Sequence, residues 1–587
     1  MAFLSDRHGV PQVFVQDLRM DGSADEPVLI DVCDDPVVAV NWSADGAWLA
    51  CAVATDGGVR TQVWVVRPDG RDAHRIAGSA EQHAELGPWT RSGHRVTVII
   101  PDYAGDGRTH CFLADPVSGD LHPLAEGELL GVLDLSVDED LVILKDGQRG
   151  KQFCVVVDRV ADLDHPLLPY PAAGSTEVAI IRPAPLGDRS PLIAYVCTDA
   201  GLPRRQLVAV PLGADRAGEG AGWRGVSGVI ASREDAELEG LDADDAGRQL
   251  LLVWNVAGRS ELELFDTVTR LGRPLPGLPG AVVSGALLSR DGRRVIMAVE
   301  GPQRPRELWC LSTRTLRWTR VTGVPSLPPA EPVEPELIRY LGHDGLELTG
   351  WLYRVPGQSG PGPAMLSLHG GPEAQERPVF SPQHQAMVAA GIAVLAPNIR
   401  GSSGFGRAFV HADDVHGRRD AFEDVISSAE EPVRLGVAER RRIAITGRSY
   451  GGYLTLAGLA FYPGVFACGV DICGMSDLHT FYRDTEPWIA EAAKSKYGDP
   501  VSDAGLLAAL SPIHRAENIE VPLLVVHGEL DTNVPIGEAH QIVAALRDLG
   551  RPVEYLQLDG EGHEYRRVDS RILLITTMLE FLGKALV

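Results

Sequence analysis

Three polar residues in the carboxy-terminal half of the chain have the types and the order that acyl transfer requires. Ser449 is flanked by glycines in Gly447-Arg448-Ser449-Tyr450-Gly451, Asp531 follows His527-Gly528-Glu529-Leu530, and His563 follows Gly560-Glu561-Gly562. A serine hydroxyl is a weak nucleophile until a base takes its proton, and the base needs a third group that fixes its tautomer. The three residues together therefore suit nucleophilic catalysis, whereas a serine between glycines alone would be weak support.

The elements around these residues place them at one edge of a sheet. A short β-branched run at 442–446 predicts a buried strand before Ser449, and the apolar run at 454–460 predicts a helix after it. Strand, tight turn and helix with a serine at the apex are the nucleophile elbow of α/β-hydrolases, in which the acid and then the histidine follow the serine. Asp531 and His563 each follow a predicted strand, at 521–526 and 553–558, where open α/β sheets place their sites.

Five motifs carry a resemblance to a known family. They lie in this order along the chain: His369-Gly370-Gly371-Pro372, Asn398-Ile399-Arg400-Gly401-Ser402-Ser403-Gly404-Phe405-Gly406, Gly447-Arg448-Ser449-Tyr450-Gly451-Gly452, His527-Gly528-Glu529-Leu530-Asp531 with Val534-Pro535, and Gly560-Glu561-Gly562-His563. In content and order they resemble the prolyl oligopeptidase family of serine peptidases, and most of all its acylaminoacyl-peptidase and dipeptidyl-aminopeptidase-like branch.

The resemblance implies a role for each residue of the site. Ser449 is expected to be the nucleophile, Asp531 the orienting acid and His563 the general base. The backbone amide of Tyr450 is expected to donate to the oxyanion, and the resemblance favours the Gly371 amide as the second donor. No cofactor and no metal are expected.

Phe405 departs from part of the family. Prolyl oligopeptidases proper and dipeptidyl peptidases have a tyrosine in this loop that donates to the oxyanion, and phenylalanine cannot donate. This departure favours the acylaminoacyl-peptidase-like branch.

Several apolar side chains are candidates for the pocket that receives the side chain before the scissile bond. These are Phe405, Tyr453, Phe481, Tyr482, Trp488 and Val534. Each is equally well explained as a core residue, because aromatic side chains dominate protein cores. Of the two arginines nearest the site in sequence, Arg400 fits a structural salt bridge better, and the role of Arg448 stays open.

Charge and composition limit the partners of the protein. The net charge of −26 argues against nucleic acid and anionic membranes, which require clustered Lys and Arg, and suits a neutral or cationic peptide. We expect neither a secretory signal nor a membrane span. The eight cysteines are scattered without a Cys-x-x-Cys pair, which fits reduced thiols and a cytoplasmic location.

The amino-terminal half predicts a different fold class. Short β runs alternate with Asp-Gly turns, and a repeating unit of strand pairs is typical of a β-propeller. Full units fall near 38–80, 83–127, 131–170, 175–228, 236–280 and 282–325, and 3–35 resembles a partial one, so seven blades are predicted. A proline-rich linker then separates a propeller domain at 1–327 from an α/β-hydrolase domain at 328–587.

The prediction is a serine peptidase that hydrolyses short peptides and is a candidate homo-oligomer. Two alternatives stay open. One is an esterase, amidase or acyltransferase acting on a small acylated metabolite, because the same residues serve any acyl transfer. The other is a propeller scaffold that has lost catalysis, against which the intact residues of the site argue.

Overall fold

The computed structural model describes residues 1–19, 24–55, 58–103, 105–168, 173–185, 191–212, 228–323 and 331–586. The chain divides into two compact units, one mainly before residue 324 and the other mainly after residue 330. The predicted domain boundary between 327 and 328 lies outside the described residues and stays a prediction.

The first unit consists, in its described part, of seven antiparallel β-sheets. The first sheet has three strands, the other six have four each, and strands consecutive in sequence are neighbours in every sheet. The first three sheets contain β1 (Ala2–Ser5), β2 (Gln12–Val15), β3 (Val28–Ile30); β4 (Val37–Trp42), β5 (Leu49–Ala54), β6 (Thr61–Val66), β7 (His74–Ala77); and β8 (Glu85–Trp89), β9 (Val96–Asp102), β10 (Arg108–Ala114), β11 (Leu121–Gly127).

The remaining four sheets repeat the same order. They contain β12 (Gly131–Leu135), β13 (Leu141–Asp146), β14 (Phe153–Asp158), β15 (Leu163–Pro166); β16 (Thr176–Pro183), β17 (Leu192–Thr198), β18 (Gln206–Leu212), β19 (Gly228–Ala231); β20 (Glu237–Ala243), β21 (Gln249–Val256), β22 (Arg259–Asp266), β23 (Leu271–Pro274); and β24 (Val282–Leu288), β25 (Arg294–Gly301), β26 (Arg304–Ser312), β27 (Trp318–Arg320). The predicted seven-bladed β-propeller, with a partial first blade, is confirmed.

The repeated turn of the blades has a simple chemical basis. In the second blade, the Ser43 hydroxyl donates to Asp45 (2.7 Å) and accepts the Trp48 amide (2.9 Å). In the seventh blade, Ser289 donates to Asp291 (2.6 Å) and accepts the Arg294 amide (2.9 Å). The serine and aspartate therefore satisfy the backbone of the turn between two strands.

The second unit is built on one eight-stranded sheet. Its strands are β28 (Glu336–Leu341), β29 (Glu347–Tyr353), β30 (Gly362–Leu368), β31 (Ala393–Asn398), β32 (Ala438–Arg448), β33 (Cys468–Ile472), β34 (Leu523–Gly528) and β35 (Val553–Leu558). Their spatial order is β28-β29-β31-β30-β32-β33-β34-β35. Only the pairs β28–β29 and β29–β31 are antiparallel, and the other five are parallel.

Helices cover both faces of this sheet. In the described residues they are α1 (Pro382–Ala389), α2 (Arg407–Val410), α3 (Arg418–Arg434), α4 (Tyr450–Phe461), α5 (Leu478–Asp484), α6 (Pro487–Tyr497), α7 (Ala504–Leu510), α8 (Gly537–Asp548) and α9 (Val568–Ala585), with 3-10 turns at Val415–Gly417 and Pro512–Asn518. Adjacent strand residues enter different cores: Leu366 and Ile445 lie in one, Met365 and Ala444 in the other. The predicted α/β-hydrolase domain is confirmed. Within the described chain, no helix is long and apolar enough to cross a membrane.

Candidate active site

Ser449 lies at the junction between β32 and α4, as the sequence predicts. Its backbone has φ 56° and ψ −116°, a conformation that is strained for a residue with a side chain. Two hydrogen bonds hold it there: the Ser449 amide donates to the Ile472 carbonyl, and the Tyr453 amide donates to the Ser449 carbonyl, both at 2.9 Å. The serine is half-buried at the apex of a tightly fixed turn.

The glycines around Ser449 are required by close backbone approach. A Cβ added at Gly447 would lie 2.4 Å from the Gly451 carbonyl oxygen, and one added at Gly451 would lie 2.2 Å from the Leu368 carbonyl oxygen. Neither neighbour is a flexible side chain that could move aside. The Gly-x-Ser-x-Gly pattern is therefore a steric requirement of this elbow.

His563 and Asp531 form a buried hydrogen-bonded pair. His563 Nδ1 lies 2.7 Å from Asp531 Oδ2, and the two residues are 6% and 4% exposed. The other carboxylate oxygen, Oδ1, accepts the amides of Asn533 (2.9 Å) and Val534 (3.0 Å). The carboxylate is thus held by the backbone of its own loop while it fixes one nitrogen of the imidazole.

The pKa shifts of the two groups agree in direction. Burial alone raises the pKa of Asp531, but the charge of His563 and hydrogen bonds from His527 and His563 outweigh it, so the pKa lies below its ordinary value. Burial alone lowers the pKa of His563, but the charge of Asp531, followed by that of Cys473, raises the pKa above its ordinary 6.5. The pair therefore favours the ionised carboxylate and stabilises the imidazolium.

The glycine loop after β30 passes beside Ser449. A Cβ added at Gly370 would lie 3.6 Å from the Ser449 Cβ and 3.2 Å from the Arg448 carbonyl oxygen. The next residue, Gly371, is exposed and has φ 127°. Tyr450 begins α4, and the first amides of a helix have no acceptor within the helix. Amides of this kind at a helix start favour a negatively charged oxygen.

A buried ion pair contacts the side chain of Tyr450. The fully buried Arg418 pairs with the equally buried Asp413, donates to the Tyr450 hydroxyl, and places its guanidinium 4.8 Å from the Tyr450 ring centre. The Tyr450 hydroxyl in turn donates to Asp413 at 3.1 Å. Sequence reasoning missed this pair, because its members lie on a loop and a helix with no recognisable motif.

Cys473, which the sequence did not single out as a site residue, lies beside the histidine and aspartate of the site. It directly follows β33, is fully buried, and has a positive φ of 43°. Its sulfur, one nitrogen of His563 and one oxygen of Asp531 lie within 4.8 Å of one another. These three donors are chemically suited to a soft divalent cation, but His563 and Asp531 already bond each other directly.

The predicted pocket residues fall into two groups. Tyr453, Phe481 and Val534 belong to the hydrophobic core of the second unit, and Tyr482 lies there too, with its hydroxyl donating to the Gly498 carbonyl at 2.9 Å. Phe405 and Trp488 are half-buried, and the Phe405 ring centre lies 5.0 Å from that of Phe409. Their part in a substrate pocket stays a prediction.

The two arginines near the site have different environments. Arg400 donates to Asp424 (2.7 Å) and Asp344 (3.0 Å), so the expected structural salt bridge is confirmed. Arg448 Nη1 lies 3.4 Å from Glu564 Oε2, and the Arg448 guanidinium lies 4.8 Å from the ring centre of Tyr565.

A serine on a strand–turn–helix elbow, followed along a mostly parallel sheet by a bonded aspartate and histidine, defines an α/β-hydrolase domain. The sequence model of the prolyl oligopeptidase family matches residues 378–587, which contain Ser449, Asp531 and His563. This match confirms the resemblance predicted from the motifs.

Individual relatives agree with the family assignment. The sequence is 38% identical over 231 residues to dipeptidyl aminopeptidase BIII of Pseudoxanthomonas mexicana, covering 38% of this chain and 34% of that relative. The first three curated relatives are matched over only 28% to 43% of their own length.

Solved structures share the fold over the whole chain. A Mycobacterium tuberculosis puromycin-hydrolyzing peptidase matches with a TM-score of 0.76 at 19% identity, covering 100% of this chain and 94% of that one. The Pyrococcus horikoshii acylaminoacyl peptidase matches with a TM-score of 0.72 at 18% identity, covering 100% and 93%. At such identities the likeness concerns the fold alone.

Proposed function

We propose that the protein is a serine peptidase that hydrolyses short peptides through an acyl-enzyme. Ser449 is the nucleophile, His563 the general base and Asp531 the acid that orients it. The observation that carries the proposal is the buried 2.7 Å hydrogen bond from His563 to Asp531, in a domain whose Ser449 occupies a strained elbow. The family match over the same residues supports it.

The proposed proton transfers use the two nitrogens of His563 for different tasks. Because Nδ1 of His563 faces Asp531, Nε2 is the nitrogen that takes the proton from Ser449 as its Oγ attacks the carbonyl carbon. The same proton then passes to the leaving amine, and the C–N bond breaks to give the acyl-enzyme. Water attacks next, His563 takes its proton, and the acid product leaves as the proton returns to Ser449.

The negative charge of the tetrahedral intermediate needs donors that already point at it. We assign this role to the amides of Tyr450 and Gly371. The start of α4 at Tyr450 and the approach of the Gly370 loop to Ser449 support the assignment. In such a site the loss of one donor typically costs about 100- to 1000-fold in turnover.

The substrate class follows from the relatives and the charge. One relative is a dipeptidyl aminopeptidase, and one structural neighbour an acylaminoacyl peptidase. The net charge of −26 suits a neutral or cationic peptide. A cytoplasmic location is part of the proposal, supported by eight free cysteines of which seven are buried. Assembly as a homo-oligomer is a further expectation from the family.

Three chromogenic substrates that share one apolar residue test the proposal: its N-acetyl anilide, its free-amine anilide and its N-acetyl ester. The Ser449→Ala variant serves as the blank. A preference of about tenfold or more for the acetylated anilide, about 1.4 kcal/mol in transition-state binding, assigns acylaminoacyl-peptidase specificity.

The other outcomes are equally informative. A preference for the free amine assigns an aminopeptidase with an acidic group that binds the amine. Turnover of the ester alone overturns the peptidase proposal in favour of a small-molecule esterase. Failure of a fluorophosphonate to label Ser449 overturns acyl transfer altogether.

A further inference from the structure

Lys496 is a fully buried cation near the candidate active site. It lies in the last turn of α6 and is only 1% exposed. A buried ammonium group is costly unless it is paired and hydrogen-bonded. Its Nζ lies 2.5 Å from Glu373 Oε1 and 2.8 Å from Asp414 Oδ1, and it donates to the Val410 carbonyl at 3.2 Å.

One of these partners belongs to the glycine loop of the site. Glu373 is two residues after Gly371, and the loop immediately before it passes beside Ser449 at Gly370. The position of the Glu373 carboxylate therefore constrains the path of the backbone at Gly371. Val410 is the last residue of α2 and Asp414 lies between α2 and α3, so Lys496 connects the glycine loop to a second part of the domain.

The backbone of Lys496 is tied to the other proposed oxyanion donor. Arg418 donates from Nη2 to the Lys496 carbonyl at 2.9 Å, and the same guanidinium donates from Nη1 to the Tyr450 hydroxyl. Both residues proposed to stabilise the oxyanion, Gly371 and Tyr450, are thus connected to Lys496 through one intervening side chain each.

We propose that Lys496 is a positioning residue of the oxyanion hole. Through Glu373 it holds the glycine loop at the distance from Ser449 at which the Gly371 amide meets the developing oxyanion. Without the ammonium group, Glu373 would lose this ion pair, while Asp414 would keep its contact with His411, where Oδ2 lies 2.9 Å from Nδ1. Glu373 would then turn toward solvent and move the loop with it. This inference rests on the proposed function.

The test compares Lys496→Met with a matched control on the same helix. Lys494→Met removes a lysine whose side chain is 29% exposed and whose Nζ pairs with Glu491 at 2.6 Å. Each variant is assayed for kcat and KM on the N-acetyl anilide and ester, for the rate of fluorophosphonate labelling, and for inhibition by a peptide boronate, whose adduct imitates the tetrahedral intermediate.

We expect Lys496→Met to lower kcat about 10- to 100-fold, because a misplaced donor retains part of its effect. Boronate affinity and labelling rate should fall in parallel, while KM stays within about threefold. Lys496→Arg keeps the charge and should recover part of kcat, and Lys494→Met should match the wild type. Folding of each variant is checked by circular dichroism.

Two results would overturn the inference. The first is a folded Lys496→Met protein with wild-type kcat and boronate affinity. The second result comes from Glu373→Gln, which is used if Lys496→Met does not fold. This variant removes the negative charge of the glycine loop and leaves Lys496 paired with Asp414. A wild-type kcat in that variant also overturns the inference. If the wild-type protein cleaves only the ester, the peptidase proposal is rejected, and the role of Lys496 is still tested on the ester. If the fluorophosphonate does not label the wild-type protein, the peptidase proposal and the role of Lys496 are both rejected.

Discussion

His563 and Asp531 are almost fully buried and bond each other, with 2.7 Å between Nδ1 and Oδ2. Because the negative charge of Asp531 stabilises the imidazolium, it raises the pKa of His563 above 6.5 against the opposing effect of burial. His563 can act as a base only when it is neutral. Activity is therefore lost as the pH falls through this raised pKa.

The first prediction concerns the pH profile. The acid limb of kcat/KM should lie above pH 6.5, and Asp531→Asn should move it to lower pH because the charge that raises the pKa is gone. The same change should reduce the plateau by about ten-thousand-fold, because the amide favours the wrong tautomer. Profiles on the N-acetyl ester from about pH 5 to about pH 10 measure both effects. An acid limb that does not move in Asp531→Asn would contradict this assignment.

The second prediction concerns the nucleophile. Ser449→Ala should reduce kcat by about a million-fold, since the triad acts as a unit. The measurement is steady-state hydrolysis of the acetylated anilide together with fluorophosphonate labelling. Ser427→Ala is the matched control, because the Ser427 hydroxyl donates to the Glu423 carbonyl within α3. Residual turnover above about a thousandth of the wild-type value would place the nucleophile elsewhere.

The third prediction concerns the elbow glycines. Gly451→Ala should destabilise the protein by about 1–3 kcal/mol, because its Cβ would lie 2.2 Å from the Leu368 carbonyl oxygen. Gly583→Ala on α9 should instead stabilise by about 0.5–1 kcal/mol, since a Cβ there meets no atom within 4 Å. Urea unfolding compares the two variants. Equal stabilities would show that the elbow can relax around the added methyl group.

The fourth prediction concerns the buried ion pair between Arg418 and Asp413, which contacts Tyr450. Arg418→Met should cost about 3–5 kcal/mol of unfolding free energy, because it leaves the carboxylate of Asp413 buried without its cation. Arg339→Met breaks a pair with Glu347 whose side chains are 55% and 60% exposed, and should cost about 0–1 kcal/mol.

A double change separates charge from packing at this pair. Arg418→Met combined with Asp413→Leu removes both charges and should recover much of the lost stability, again measured by urea unfolding. If the double variant is no more stable than Arg418→Met alone, the lost packing of Arg418 on Tyr450 accounts for the cost.

Patterns that are local in sequence predicted most of the architecture. The predicted helix at 454–460 corresponds to α4, and the predicted strands at 521–526 and 553–558 correspond to β34 and β35. The repeating units predicted the seven sheets correctly, because each blade consists of strands that are consecutive in sequence. The helices α5 to α7, between β33 and β34, were not predicted. The positions of the aromatic side chains in this segment were also difficult to predict from the sequence. Phe481, for example, entered the core, and nothing in its neighbours distinguishes a core aromatic from one that lines a pocket.

The sequence by itself determined the elbow and the order of serine, aspartate and histidine, because residue types and their order are read directly along the chain. The need for glycine at Gly451 depends on the tertiary structure, since its Cβ would meet the Leu368 carbonyl oxygen of a distant strand. Only the tertiary structure decided which charges are buried. Lys496 is an ordinary lysine on a helix until folding brings it to Glu373, more than a hundred positions earlier. The physical reason is that burial of a charge depends on what surrounds it in space, and the partners that compensate it come from distant segments.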